Sequence, residues 1–428
     1  MAKLQVALDF LNLSRALGVA RLAAAAGEVI LEAGTPLIKS EGLNAVRALR
    51  KEFPRSRIVA DMKTMDAGRV EMESAAKAGA SAAIVMGLAA PETIRECIEA
   101  GRNYGIEVGV DLLGASDAVE LARKAQAWGA AFVGIHTPVD AQMTGAKNPF
   151  KELEAVRGAV EIPIAVAGGI NSETAALAVR SGADVIVVGG AITKAEDVTA
   201  ATRTILEVIS SGVARPTTLF KRMGIEEIRQ ILSRVSAANL SDALHRGGVI
   251  RGLAPVTPGL RLVGRAVTVR TYPGDWAKPV EAIDVAEAQD VIVIDSGGVG
   301  PAVWGELATE SAVRKKLSGV VVEGAIRDTN EIRKLSFPAF SRLVEPGAGE
   351  PKGFGEINVP VRIGGQVVSP GDWMFGDDDG LIHIPKEKIV EVANRGMDVL
   401  EQENRIREEI RVGGTLSKVM ELLRWEKK

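Results

Sequence analysis

Short apolar or β-branched runs alternate, along the first half of the chain, with longer segments whose apolar positions recur at helical spacing. The runs are Leu4 to Leu8, Glu28 to Leu31, Ile58 to Ala60, Ala82 to Val85, Ile106 to Val110, Ala131 to Ile135, Ile162 to Ala167 and Asp184 to Val188. Between them lie helix-patterned segments such as Ser40 to Glu52, Pro91 to Asn103, Ser116 to Trp128 and Ser172 to Ser181, many closed by a glycine where a helix stops. The pairs Gly79-Ala80, Gly129-Ala130 and Gly182-Ala183 each stand just before a strand. Eight strand-then-helix repeats of about 25 residues predict a (β/α)8 barrel, with an open doubly wound sheet as the alternative.

After the helix-like Ala195 to Ile209, the stretch Ser210 to Pro216 has breakers and no apolar period, so a short linker divides the chain into domains 1–212 and 213–428. The second half is helical from about Phe220 to Asn239 and then rich in strands: Arg261 to Thr271, Asp290 to Ile294, Gly319 to Val322, Pro338 to Leu343, Val359 to Ile363, Gln366 to Val368, Trp373 to Asp377 and Leu381 to Ile384. Lys386 to Trp425 alternates charge with apolar spacing and predicts a helical tail with a solvated face. The fold class is α/β throughout, a TIM barrel followed by an α/β/α domain.

Composition agrees with two cores, since 428 residues at 46% apolar content exceed the roughly 250 to 300 residues that one core supports. A net charge of -3, with no long run of either sign, points away from nucleic acid and anionic membrane and toward small-molecule partners. The single cysteine, Cys97, excludes an intrachain disulfide and a thiolate zinc site; it is expected to be a buried small hydrophobe in a reducing cytoplasm. No charged leader with an apolar core opens the chain and no apolar run reaches about 18 residues, so a soluble, unprocessed protein is expected.

Barrels of this kind carry their chemistry at the carboxyl ends of the strands. Those ends present Asp9, Glu32, Asp61 with Lys63, Asp111 and His136, five converging positions that salt bridges and helix caps explain singly but not jointly. In Asp61-Met62-Lys63-Thr64-Met65-Asp66, acid, base and acid set one another's protonation. The last two strands end instead in Gly168-Gly169 and Gly189-Gly190, where backbone N–H groups can approach an anion as in the usual phosphate site of this barrel, or where glycines close tight turns. Together these residues point to metal-assisted chemistry on a sugar phosphate.

The pattern Asp61-x-Lys63-x-x-Asp66, with Asp9 upstream and the glycine loops downstream, resembles the orotidine monophosphate decarboxylase superfamily. Within it, Leu8-Asp9, Glu32-Ala33-Gly34-Thr35-Pro36, Ala60 to Gly68 and Ala165 to Asn171 are similar to the 3-hexulose-6-phosphate synthases. Glu32 stands where the orotidine decarboxylases have a lysine, and Val139 where the keto-gulonate phosphate decarboxylases carry an arginine, which leaves the synthases as the better match and the keto-gulonate decarboxylases as the alternative. The resemblance implies a reversible aldol reaction of ribulose 5-phosphate with formaldehyde. It implies magnesium or manganese on Glu32 and Asp61, Lys63 stabilising an oxyanion, His136 moving the proton at C1, Asp9 and Asp111 binding hydroxyls or orienting Lys63, and Asp66 entering the mouth of a partner barrel. A homo-oligomer and a separate hexulose phosphate isomerase would follow.

In the second half, Asp295-Ser296-Gly297-Gly298-Val299-Gly300 follows a buried strand and can offer amides to an anion. Gly324 to Glu331 follows another and sets a cation beside carboxylates, with Glu306 earlier in the chain. From about Val235 to Pro385 the chain resembles the fold family shared by the RraA ribonuclease inhibitors and the class II pyruvate aldolases. Arg327-Asp328-Thr329-Asn330-Glu331 fits the aldolase motif. The resemblance implies a metal-dependent lyase in which Arg327 binds the carboxylate of a 2-oxo acid, Asp328 holds the metal and Glu306 assists, with Glu331 and Gly298 as further candidates; a silent scaffold is the alternative. Asp377-Asp378-Asp379-Gly380 reads either as a metal loop or as a turn, and no role is expected of His245 or His383.

Overall fold

The computed structural model describes residues 2–138, 149–217, 224–411 and 413–419. Val139, Phe220 and Trp425, named above, lie outside them. The described chain forms two compact units, one taking in the residues up to 217 together with those from Arg405 onward, the other residues 224–404.

Eight parallel strands close the first unit in sequence order: β1 Lys3–Leu8, β2 Ile30–Ala33, β3 Ile58–Thr64, β4 Ala82–Met86, β5 Glu107–Asp111, β6 Phe132–His136, β7 Ile164–Ala167 and β8 Val185–Val188, with β1 also paired to β8. Both faces of these strands are covered, which is why they appear in the sequence as short continuous apolar runs. Leu4, Val6 and Leu8 face the surrounding helices, whereas Ala7, Ile30, Val59, Ala82, Phe132, Ala165 and Val187 fill the interior. Gln5 shares the inward face of β1 and is buried too. Ser40 to Glu52, expected as one helix, is the end of Thr35–Glu41 and all of Asn44–Glu52, because Gly42 breaks the path at φ 65°.

Strand β3 runs past its apolar stretch to Thr64. Its pairing with β4 shifts between Ala60 and Thr64, and Lys63 within the bulge is left-handed at φ 47°. A bulge bends a strand and re-aims its side chains, and a non-glycine residue held at positive φ marks strain maintained by its surroundings.

In the second unit, β11 Leu262–Arg270, β12 Val291–Asp295, β13 Gly319–Ile326 and β14 Ala339–Val344 run parallel. Antiparallel strands β9 Val249–Ile250, β10 Ala254–Pro255, β18 Trp373–Asp377 and β19 Gly380–Ile384 extend them in the order β10-β14-β13-β12-β11-β18-β19-β9, with β15 Glu356–Ile357 against β11. Along β12, Ile292 and Ile294 join a core with the helices Ala277–Val285, Glu306–Arg314 and Thr329–Lys334, while Val291 and Val293 face the hairpin of β16 Val361–Ile363 and β17 Gln366–Val368. The Asp377 to Gly380 stretch is a turn. Asp377 accepts from the Ala237 and Asp379 amides at 2.8 and 3.0 Å, and Asp378 from the Gly259 amide at 2.7 Å. His383 is buried in a 2.8 Å pair with Asp372. Among the described residues no helix is long and apolar enough to cross a membrane.

Candidate active site

Strand order carries the five acid, base and histidine positions to one end of the barrel. Glu32 sits opposite Ala7 on β1 and Val59 on β3, so its side chain enters the interior, where Gln5 Nε2 donates to Glu32 Oε2 at 2.6 Å. Asp61 follows Ala60 and is held by Thr35, whose hydroxyl stands 2.7 Å from Asp61 Oδ2 and 2.9 Å from the Asp61 carbonyl. The bulge turns Lys63 so that its ammonium lies 3.1 Å from Asp61 Oδ2 and 2.9 Å from Asp111 Oδ2. His136 Nδ1 is 3.8 Å from that same Asp111 oxygen. Asp9 packs beside Gly34, where any Cβ would come within 2.1 Å of its Oδ1, and a Cβ on Gly189 would lie 3.6 Å from its Oδ2. The β1, β2 and β8 loops therefore meet at one carboxylate.

Charge is unevenly spread within this cluster. Burial, together with the nearby Asp61 and Asp9 carboxylates, pushes the Glu32 carboxyl up to about 8 despite the Gln5 hydrogen bond. Burial and Asp61 also raise Asp9. Burial opposes the charge on Lys63, but Asp61 and Asp111 more than offset it and hold the ammonium above its ordinary value. Burial likewise works to raise Asp111, and His136 and Lys63 outweigh it, so that carboxyl lies below the usual range. On one side Lys63 is locked between Asp111 and Asp61; on the other the Glu32 and Asp9 carboxyls are buried close enough to Asp61 to be raised by its charge.

A divalent cation suits this cluster, because it would offset the burial and the Asp61 and Asp9 charges that together hold Glu32 protonated. Among the described residues no three acidic, histidine or cysteine side chains form a ready metal cage. The protein's share would then be the Glu32 and Asp61 carboxylates, as suits magnesium, which keeps waters and substrate oxygens for most of its shell.

Gly168 and Gly169 have φ of 100° and 71°, and a Cβ on Gly168 would come within 2.5 Å of the Thr137 carbonyl, so this loop requires glycine. Among the described residues the amides of Gly168, Gly169, Gly189 and Gly190 have no hydrogen-bond acceptor, leaving them open to an anion. Asp66 is exposed and accepts from the Ala67 amide at 2.7 Å, outside the cluster. Gln5 and Thr35, which hold Glu32 and Asp61, were not singled out from the sequence. A polar residue in an otherwise apolar inward position of β1 is the signal for Gln5.

The family model for orotidine 5'-phosphate decarboxylase / HUMPS matches residues 2–205. A 3-hexulose-6-phosphate synthase from Mycobacterium gastri is 40% identical over 211 residues, covering 49% of this chain and 100% of the relative. The first half of this chain belongs to that family. The Methylomonas aminofaciens 3-hexulose-6-phosphate synthase is 39% identical over 202 residues, 47% of this chain and 96% of the relative. A bifunctional enzyme Fae/Hps from Methanoregula boonei is 35% identical over 209 residues, 48% of this chain and 52% of the relative. The HUMPS-family barrel thus accounts for about half the chain. Residues 237–383 match the RraA-like (Aldolase/RraA) model, so the second half carries an RraA-like domain.

In the RraA-like domain, Asp328 is left-handed at φ 57° and starts the helix Thr329–Lys334. Its Oδ2 accepts from the Glu306 amide at 3.1 Å and lies 3.5 Å from Arg327 Nε. Gly305 makes room for it, since a Cβ there would come within 2.5 Å of Asp328 Oδ2. Arg327, Asp328 and the Glu306 backbone are therefore brought together, whereas the Glu331 carboxylate turns to Lys334 at 2.7 Å. Gly298 is at φ 76° and its amide donates to the Glu323 carbonyl at 3.1 Å. The amides of Ser296 and Gly297 are likewise engaged, by Glu323 and by Asp295, so these three are committed within the fold.

Proposed function

We propose that the barrel is a 3-hexulose-6-phosphate synthase, an aldehyde-lyase joining ribulose 5-phosphate and formaldehyde. The observation that carries this reading is a Lys63 ammonium locked between Asp111 and Asp61, with the buried Glu32 and Asp9 carboxyls beyond Asp61, next to glycine loops with open amides. A sugar phosphate spans such a site, with its phosphate on Gly168, Gly169, Gly189 and Gly190 and its C1 and C2 oxygens among the carboxylates. His136 takes the C1 proton, leaving an enediolate. C1 then forms a bond to the formaldehyde carbon as the C2 carbonyl re-forms and the formaldehyde C=O π bond breaks; the formaldehyde oxygen takes back the proton held by His136, so atoms and charge balance. Lys63, kept cationic by Asp61 and Asp111, faces the charge that develops on oxygen. A divalent ion held by Glu32 and Asp61 would lower the cost of that charge. Asp9 and Asp111 hold hydroxyls, and Asp66 serves the mouth of a second copy. The test is formaldehyde consumption that requires ribulose 5-phosphate and a divalent salt.

For the RraA-like domain, metal-dependent cleavage of a 2-oxo acid is favoured by Asp328, which has one oxygen on the Glu306 amide and the other without a hydrogen bond among the described residues, beside the Arg327 cation. Pyruvate release from a 4-hydroxy-2-oxo diacid with magnesium tests it. A well-folded protein that releases none is a scaffold there.

A further inference from the structure

Residues 405–411, the end of the helix Ile389–Arg411, count with the barrel unit. The Arg405 guanidinium donates through Nη1 to the Thr193 carbonyl and lies over the Phe10 ring, 5.5 Å from its centroid. Thr193 ends the short helix Gly190–Thr193 that carries one glycine loop, and Phe10 follows Asp9. Arg405 Nε is 3.2 Å from Glu409 Oε1, and that oxygen also takes Arg15 Nη2 at 2.9 Å. Two guanidiniums share one carboxylate, and Arg15 Nε is buried with no hydrogen-bond partner. Burial and the neighbouring Arg15 make the Arg405 charge harder to keep, which an anion in the adjoining glycine loop would ease. The family match ends at residue 205, so Arg405 lies outside the matched barrel.

We propose that Arg405 is a positioning residue for the barrel's phosphate cradle, fixing the loop after β8 to the loop after β1 so that a residue of the barrel unit beyond the matched family segment completes the sugar phosphate site. A flat guanidinium can hold a carbonyl at its edge while its face lies on a ring; an ammonium cannot do both. The inference rests on the sugar phosphate reading above, but not on the aldol step.

The experiment measures binding of ribulose 5-phosphate and of inorganic phosphate to the full chain by calorimetry, alongside steady-state kinetics, for the native protein, R405A and R405K. Loss of one hydrogen bond from a charged group is worth about 10-fold or more, so R405A should weaken both ligands about 10-fold. The R405A kcat at saturation should stay within about twofold, because the reacting groups are untouched. R405K, which keeps the charge without the fork, should recover only part of the affinity. Equal affinity in R405A overturns the inference; if R405A does not fold, native affinity in R405K overturns it. A native protein that binds ribulose 5-phosphate but consumes no formaldehyde contradicts the proposed reaction and leaves the role of Arg405 standing.

Discussion

Magnesium binding to the barrel should release a proton. Glu32 is raised to about 8 by burial and by Asp61 and Asp9, so at pH 7 about 0.9 of it is protonated, and a cation that needs the carboxylate must expel that proton. Calorimetric titration at pH 7 in two buffers of different ionisation heat gives the number released. About 0.9 per barrel is expected, with affinity rising up to tenfold per pH unit toward pH 8 and levelling beyond it. Glu32→Gln should abolish both the binding and the buffer dependence. In the metal-free protein the same shift acts on stability. The folded state holds a proton that the unfolded chain loses above about 4.5, so stability falls between about pH 4.5 and 8, by at most about 5 kcal/mol. Added magnesium should remove that slope. Binding to the barrel with no proton release would refute the claim that burial, with the Asp61 and Asp9 charges, keeps Glu32 protonated and that the cation displaces that proton.

Lys63→Met leaves Asp61 and Asp111 buried without their ammonium, 3.1 and 2.9 Å away in the native site. Thermal and urea unfolding should show a loss of about 3 to 5 kcal/mol, with activity gone. His136→Ala should lower turnover with little loss of ribulose 5-phosphate binding; an unchanged saturated rate rules out the histidine as base. Gly34→Ala would drive a methyl into Asp9 and should cost about 1 to 3 kcal/mol in unfolding experiments. If Asp66 acts in the partner's mouth, mixing inactive Asp66→Ala and Lys63→Met chains should restore about a quarter of native activity through hybrid dimers, and no recovery counts against sharing.

Strand order and the convergence of Asp9, Glu32, Asp61, Asp111 and His136 could be read from the sequence because a parallel barrel buries both faces of each strand and gathers its ionisable residues at the carboxyl ends. The aim of Lys63 could not. It depends on a bulge and a left-handed backbone within Asp61 to Thr64, which no apolar period records. Gln5 and Thr35 were hidden for a related reason, since each acts by hydrogen-bonding a carboxylate from a distant part of the chain. The use of the Ser296 to Gly298 amides by Asp295 and Glu323 is likewise a matter of tertiary geometry. Arg405 lies hundreds of residues from Phe10 and Thr193, so only the folded chain brings them together.

The most direct test of the central claim is a paired assay on the full chain with a divalent salt. One arm follows formaldehyde consumption with ribulose 5-phosphate, and the other follows carbon dioxide release from 3-keto-L-gulonate 6-phosphate. The account predicts rapid formaldehyde consumption that is lost in Lys63→Met, with little or no carbon dioxide. Carbon dioxide release without formaldehyde consumption would contradict it and make the barrel a decarboxylase.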